Sequence, residues 1–168
     1  MSSAMTSEEQ RWVSVQQFLG KEGQALDEKK WDEWLALYHP DAEYWLPAWD
    51  DDGELTTDPQ SEISLIYYPN RAGLEDRVFR IKSRRSSATM PLMRTCHMFT
   101  LLSVDKQKNG VCAHSSWTVQ SYREGQTLAY YGWAEYALTE QDNSWLITRK
   151  KTVVLNDIAN TMLDIYNV

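Results

Sequence analysis

Val111-Cys-Ala-His-Ser-Ser-Trp-Thr-Val-Gln-Ser-Tyr-Arg-Glu-Gly-Gln-Thr-Leu-Ala-Tyr-Tyr-Gly-Trp-Ala-Glu-Tyr-Ala-Leu-Thr139 decides the fold of this chain. Apolar and polar residues alternate on both sides of Glu124-Gly125, which spells a hairpin of two strands, 111–123 and 127–139. The period of two continues outward. It reaches back to Arg94 across Lys108-Asn-Gly110 and forward to 156 across Gln141-Asp-Asn-Ser144, adding strands at 94–105 and 145–156. Connections this short join neighbours into an antiparallel meander.

Taking Asn109-Gly110 and Glu124-Gly125 as the turn pairs, residue i faces 219 minus i in the first hairpin and 249 minus i in the second. One sheet face then carries Met98, Leu102, Val104, Val111, Ala113, Trp117, Val119, Leu128, Tyr130 and Leu138, the expected core side. The opposite face carries His97, Phe99, Leu101, His114, Thr118, Tyr122, Tyr131, Trp133 and Glu135, a composition that suits a subunit interface.

Helices precede the meander. Thr6-Ser-Glu-Glu9 is a capping box, and Trp12, Val15, Leu19 and Leu26 recur at helical spacing to about Asp27. Trp31, Trp34, Leu35 and Tyr38 form a second stripe, stopped at His39-Pro40-Asp41 because the residue before proline disfavours helix. Ala42–Leu46 reads as a short strand. Asn70 caps a third helix with Leu74, Val78 and Ile81 on one side, and 86–91 reads as a loop. The sum is an α+β domain spanning 1–168, with N-terminal helices on a curved antiparallel sheet, a disordered 1–6 and a C-terminal tail at 157–168.

The net charge of -7 and pI near 4.9 argue against nucleic acid or an anionic membrane as partner. No apolar run is long enough to span a bilayer and the first residues lack the pattern of a signal peptide, so the expectation is a cytoplasmic protein. Charge is locally bipolar. Asp50, Asp51, Asp52, Glu54, Asp58 and Glu62 crowd one loop, whereas Arg71, Arg77, Arg80, Lys82, Arg84, Arg85 and Arg94 dominate the following segment.

Metal chemistry fares poorly on spacing. Asp50-Asp-Asp-Gly-Glu54 fails as a calcium loop, because Gly53 at the sixth position puts Ala48 first and Pro59 last. His97 and His114 fall about 27 Å apart in the register above, and Cys96 and Cys112 fall on opposite faces. One Cys96-His97 pair does not make a Rieske site. Asp41, Tyr44 and His97 could instead form an acid/base pocket, the runner-up reading of a metal-independent lyase or isomerase.

Collinear motifs point elsewhere. Trp31-Asp-Glu-Trp-Leu35, Tyr38-His-Pro-Asp-Ala-Glu-Tyr-Trp45, Pro47-Ala-Trp-Asp-Asp-Asp52, Asp58-Pro-Gln-Ser-Glu-Ile-Ser-Leu-Ile-Tyr-Tyr-Pro-Asn-Arg71, Leu74-Glu-Asp-Arg-Val-Phe-Arg80 and Asp164-Ile-Tyr166 together resemble the small (beta) subunit of aromatic-ring-hydroxylating dioxygenases, most closely the benzoate 1,2-dioxygenase branch. Arg94-Thr-Cys-His97 departs from the Arg-Thr-Ser-His often found there.

The resemblance implies a cone-shaped fold like that of nuclear transport factor 2 (NTF2) and a hexamer of three large and three small subunits. It implies no catalytic, metal or cofactor residue in this chain: the Rieske [2Fe-2S] cluster and mononuclear Fe(II) belong to the large (alpha) subunit, with NADH electrons delivered by a separate reductase. The implied reaction is cis-dihydroxylation of benzoate or a related aromatic acid with O2. In such an assembly Tyr131 and Trp133 would meet sibling small subunits, and Arg71, Arg77 and Arg80 would meet the large subunit.

Overall fold

The structure is a computed structural model that describes residues 5–83, 92–156 and 162–168. The expected loop at 86–91 and residues 1–4 lie outside the described residues. Helix α1 (Ser7–Asp27) opens on the capping box: the Thr6 hydroxyl accepts from the Glu9 amide at 3.2 Å, and the Glu9 carboxylate accepts from the Thr6 amide at 2.7 Å. Thr6 is therefore an ordered cap and not part of a disordered leader. The short helix α2 (Trp31–Leu35) follows, and α3 (Arg71–Lys82) starts where the Asn70 side chain accepts from the Ala72 amide. Leu74, Val78 and Ile81 are the buried side of α3, each contributing about 1.5–3 kcal/mol by burial.

Six strands form one sheet in the order β2-β1-β6-β5-β4-β3. They are β1 (Tyr38–Pro47), β2 (Ser64–Tyr68), β3 (Arg94–Gln107), β4 (Gly110–Arg123), β5 (Gln126–Gln141) and β6 (Ser144–Val154). The sheet is not wholly antiparallel, because β1 joins β6 in parallel. That pairing closes the sheet on the far side of the meander, where β6 would otherwise be an edge. β1 is also longer than expected: Pro40 falls within the register break between Tyr38 and Glu43, where no ladder bond needs its missing N–H. β2 was not expected as a strand.

Residues of α1, α2, α3 and one sheet face form a single core that includes Phe18, Trp34, Tyr44, Leu74, Trp117, Tyr136 and Ile147. Trp34, Tyr38 and Tyr44 are fully buried and pack in tilted and edge-to-face pairs, with ring centroids 5.0–6.5 Å apart. The tail is part of this core too: Ile165, Tyr166 and Val168 are buried.

The face assignment holds on β4 and β5 and fails on the first half of β3. The turn residues of the first hairpin are Lys108 and Asn109, with Gly110 already paired to Gln107, so the register sum is 217 in place of 219. A shift of two preserves the face. A bulge between Leu101 and Ser103 then lowers the sum to 216, and this odd step turns every residue before it over. His97, Phe99 and Leu101 therefore face the core, while Met98 and Leu102 are 42% and 57% exposed on the open side. Cys96 and Cys112 come to share that open face, eight residues apart in register.

Gly110 is required by packing. A Cβ there would lie 1.9 Å from the Leu138 carbonyl oxygen. Gly132 has the same role on β5, where a Cβ would meet the Val153 carbonyl oxygen at 1.9 Å.

Candidate functional site

Two places concentrate chemistry: the interior between α1 and the sheet, and the open face of the sheet. Inside, Glu22 stands in the apolar stripe of α1 and is 3% exposed. Lys150 reaches it at 2.8 Å, and the Tyr38 and Tyr136 hydroxyls donate to it at 2.6 and 3.0 Å. Lys150 faces inward because a register shift between Ala137 and Leu138 changes the parity of β6. Burial raises the Glu22 carboxyl, but Lys150 and the hydrogen bonds outweigh it and hold the pKa below the usual 4.5. Burial first, then the Glu22 charge, pushes Tyr38 and Tyr136 well above the usual phenol range. A carboxylate so neutralised and fully hydrogen-bonded is a structural anion and a poor base.

Next to it, His97 Nδ1 lies 2.6 Å from Asp27 Oδ1, and the His97 amide donates to Asp27 Oδ2 at 3.0 Å. Thr95 adds a third bond to this carboxylate at 2.8 Å. Burial raises Asp27, yet the bonds from His97 and Thr95 prevail and lower it. Gly23 allows the close approach, since a Cβ there would stand 3.1 Å from His97 Cβ. Glu22, His97, Phe99, Trp117, Tyr136 and Thr152 are among the residues lining a cavity of about 40 Å³.

Asp41 and Tyr44 do not line this cavity. Asp41 is on β1 with its side chain 90% exposed, and β6, β5 and β4 intervene before His97 on β3. Tyr44 is buried in the aromatic cluster with Trp34 and Tyr38. The acid/base trio is not assembled: three strands separate Asp41 from His97, and His97 is bonded to Asp27 instead.

The arginines also find local partners. Arg71 binds Glu75 at 2.8 Å and the Tyr38 carbonyl at 2.8 Å. Arg77 makes a two-bond clamp on the buried Asp164, tying α3 to the C-terminal segment. Arg80 pairs with Asp76 at 2.9 Å and stays 62% exposed. In the acidic loop, Asp50 accepts from the Asp52 and Glu54 amides and Glu62 from the Thr57 and Asp58 amides, so these carboxylates hold turns.

On the open face, Met98, Thr118 and Tyr131 form one cross-strand row over β3, β4 and β5, with Met98 and Tyr131 about half exposed. Beside it, Arg149 bridges Glu43 and Glu135 at 2.8 and 3.0 Å, and Lys151 lies 4.8 and 5.6 Å from the Trp45 and Trp133 ring centroids. The two-residue pattern foretold Tyr131 and Trp133 as facing away from the core. Glu22, Asp27 and Lys150 went unread, although a carboxylate inside an apolar stripe was a visible signal at Glu22.

Among the described residues, the cysteines and the histidines of β3 and β4 do not converge as a Rieske ligand set would require. His97 faces the core while Cys96 and His114 face outward, and the two cysteines are about 27 Å apart along the sheet.

The helices against one face of a six-stranded sheet are an NTF2-like arrangement. An NTF2-like protein from Novosphingobium aromaticivorans, 12% identical, shares this fold with a TM-score of 0.60 over 90% of this chain and 86% of its own. The family model described as ring hydroxylating beta subunit matches residues 21–161. The toluate 1,2-dioxygenase subunit beta of Pseudomonas putida is 47% identical over 94% of this chain and 98% of its own length. The crystal structure of the benzoate 1,2-dioxygenase beta subunit from Burkholderia mallei is 38% identical, with a TM-score of 0.76 over 99% of this chain and all of that one. This chain belongs to the ring hydroxylating beta subunit family, the beta subunits of ring-hydroxylating dioxygenases, and its partner is the alpha subunit, where that family places the catalytic centre.

Proposed function

We propose that this single-domain chain is the assembly subunit of a cytoplasmic dioxygenase built from three alpha and three beta subunits. The alpha subunit supplies the Rieske [2Fe-2S] cluster, the mononuclear Fe(II) and the substrate pocket. A separate reductase passes electrons from NADH, and the product is the cis-dihydrodiol of benzoate, a toluate or a related aromatic acid. Bound iron supplies the oxygen chemistry; this chain's residues hold the complex together.

The observation that carries the reading is the open face of the sheet. Half-exposed Met98 and Tyr131 lie about 10 Å apart across two strand spacings, beside Trp133, on the sheet face opposite the core and its described helices. β3 is also an edge strand of 14 residues, with one long side that no other strand of the sheet pairs. The open face suits sibling beta subunits. Arg80 and the spare carboxylates Asp51, Asp52 and Glu54 suit charged contacts with the alpha subunit, where they would set orientation more than affinity.

The test is to express this chain with and without its alpha subunit and measure iron content and benzoate-dependent O2 uptake. Iron and uptake should follow the alpha subunit. Turnover by the isolated beta chain would overturn the reading.

A further inference from the structure

We propose that Cys112, His114 and Glu135 form a binding site for one zinc-class divalent ion on the open face of the sheet. The ladder itself assembles the trio. Cys112 and His114 are two residues apart on β4 and so share a face, and Glu135 of β5 is the register partner of His114. Cys112 Sγ and His114 Nε2 are 3.5 Å apart, His114 Nε2 and Glu135 Oε2 are 4.0 Å apart, and all three ligand atoms lie within 4.8 Å of one another.

The sulfur–nitrogen spacing matches a tetrahedral ion, and the carboxylate must move in to complete the set. Bonds of about 2.3 Å to sulfur and about 2.05 Å to nitrogen put the two ligand atoms about 3.5 Å apart, and nitrogen and oxygen ligands belong about 3.3 Å apart. The sulfur–nitrogen pair already has the required separation, and the carboxylate needs to close by about 0.7 Å, which its soft terminal torsion allows. A thiolate, an imidazole and a carboxylate together select zinc, cobalt or nickel over magnesium or calcium.

The surroundings fit as well. Arg149 Nη1 donates to Glu135 Oε1 at 3.0 Å while Nε is held by Glu43, so one carboxylate oxygen is anchored and the other remains toward His114. Such outer partners orient ligating carboxylates. In the single chain His114 and Glu135 are 40% and 30% exposed, leaving a path for the ion and a fourth position for water. On binding, the Cys112 thiol releases its proton to solvent and the ion takes the thiolate; no redox step is involved.

The full-length chain, freed of metal by a chelator, should bind one Co2+ with a thiolate-to-cobalt charge-transfer band that Zn2+ displaces. Cys112→Ser should abolish the band, Cys96→Ser should leave it intact, and His114→Ala and Glu135→Gln should each weaken binding at least about tenfold. Far-ultraviolet circular dichroism of each variant separates lost ligation from lost folding, and Glu135→Gln retains a neutral isostere should Cys112→Ser misfold. A band that survives Cys112→Ser, or no Co2+ bound by the folded wild-type chain, overturns the proposal. Neither result bears on assembly with the alpha subunit.

Discussion

Lys150 of the last strand sets its ammonium 2.8 Å from the carboxylate of Glu22 on the first helix, closing a buried ion pair across 128 residues of chain. Two tyrosine hydroxyls complete the carboxylate, and the Tyr44 and Tyr136 rings flank the ammonium at 5.6 and 5.4 Å. Removing only one member leaves the other charged and unpaired in the core. Glu22→Ala should therefore destabilise the chain by about 3–5 kcal/mol, and Glu22→Gln with Lys150→Met should recover part of that loss. Denaturant unfolding of the single and double variants checks both.

The same pair sets an acid limit. The folded pKa of Glu22 is below its ordinary 4.5, so its contribution is complete above the unfolded value and is lost as pH falls through the folded one. Stability should fall below about pH 4.5, and Glu22→Gln should flatten this limb while lowering stability at neutral pH. Thermal melts across pH 2–7 read the difference.

Arg77 and Arg80, three residues apart, should behave differently. Arg77→Glu places a carboxylate against buried Asp164 and should free the C-terminal segment, raising its protease sensitivity and hydrogen exchange. Arg80→Glu, on an exposed side chain, should change stability by no more than about 0.5 kcal/mol. The pair thus separates folding from docking: Arg80 alone is a clean probe of the proposed alpha-subunit contact.

Gly132→Ala tests the sheet itself. Its Cβ would fall 1.9 Å from a backbone oxygen of β6, which cannot rotate away. Soluble yield should collapse, or unfolding stability should drop by about 1–3 kcal/mol or more.

Local chemistry was legible from residues alone: the Thr6 capping box, the Asn70 cap, and the Glu124-Gly125 and Asp142-Asn143 turns, whose residues all take positive φ. What escaped depended on partners distant in sequence. Gly110 looked like a turn glycine, yet it is needed where β4 passes the Leu138 carbonyl. The bulge after Leu101 has no local signature; it turns His97 to the core side, and the unbulged register therefore hid its contact with Asp27. The parallel β1–β6 pair joins segments separated by the entire meander, beyond the reach of turn rules.

The assembly role is tested most directly by native mass measurement of the chain co-expressed with its alpha subunit, comparing wild type with Met98→Glu/Tyr131→Glu. Both substituted side chains are about half exposed on the open face, so the variant should fold. The account predicts a three-plus-three hexamer for wild type and smaller species for the variant. An intact hexamer in the variant, or a wild-type chain that stays apart from the alpha subunit, would contradict it.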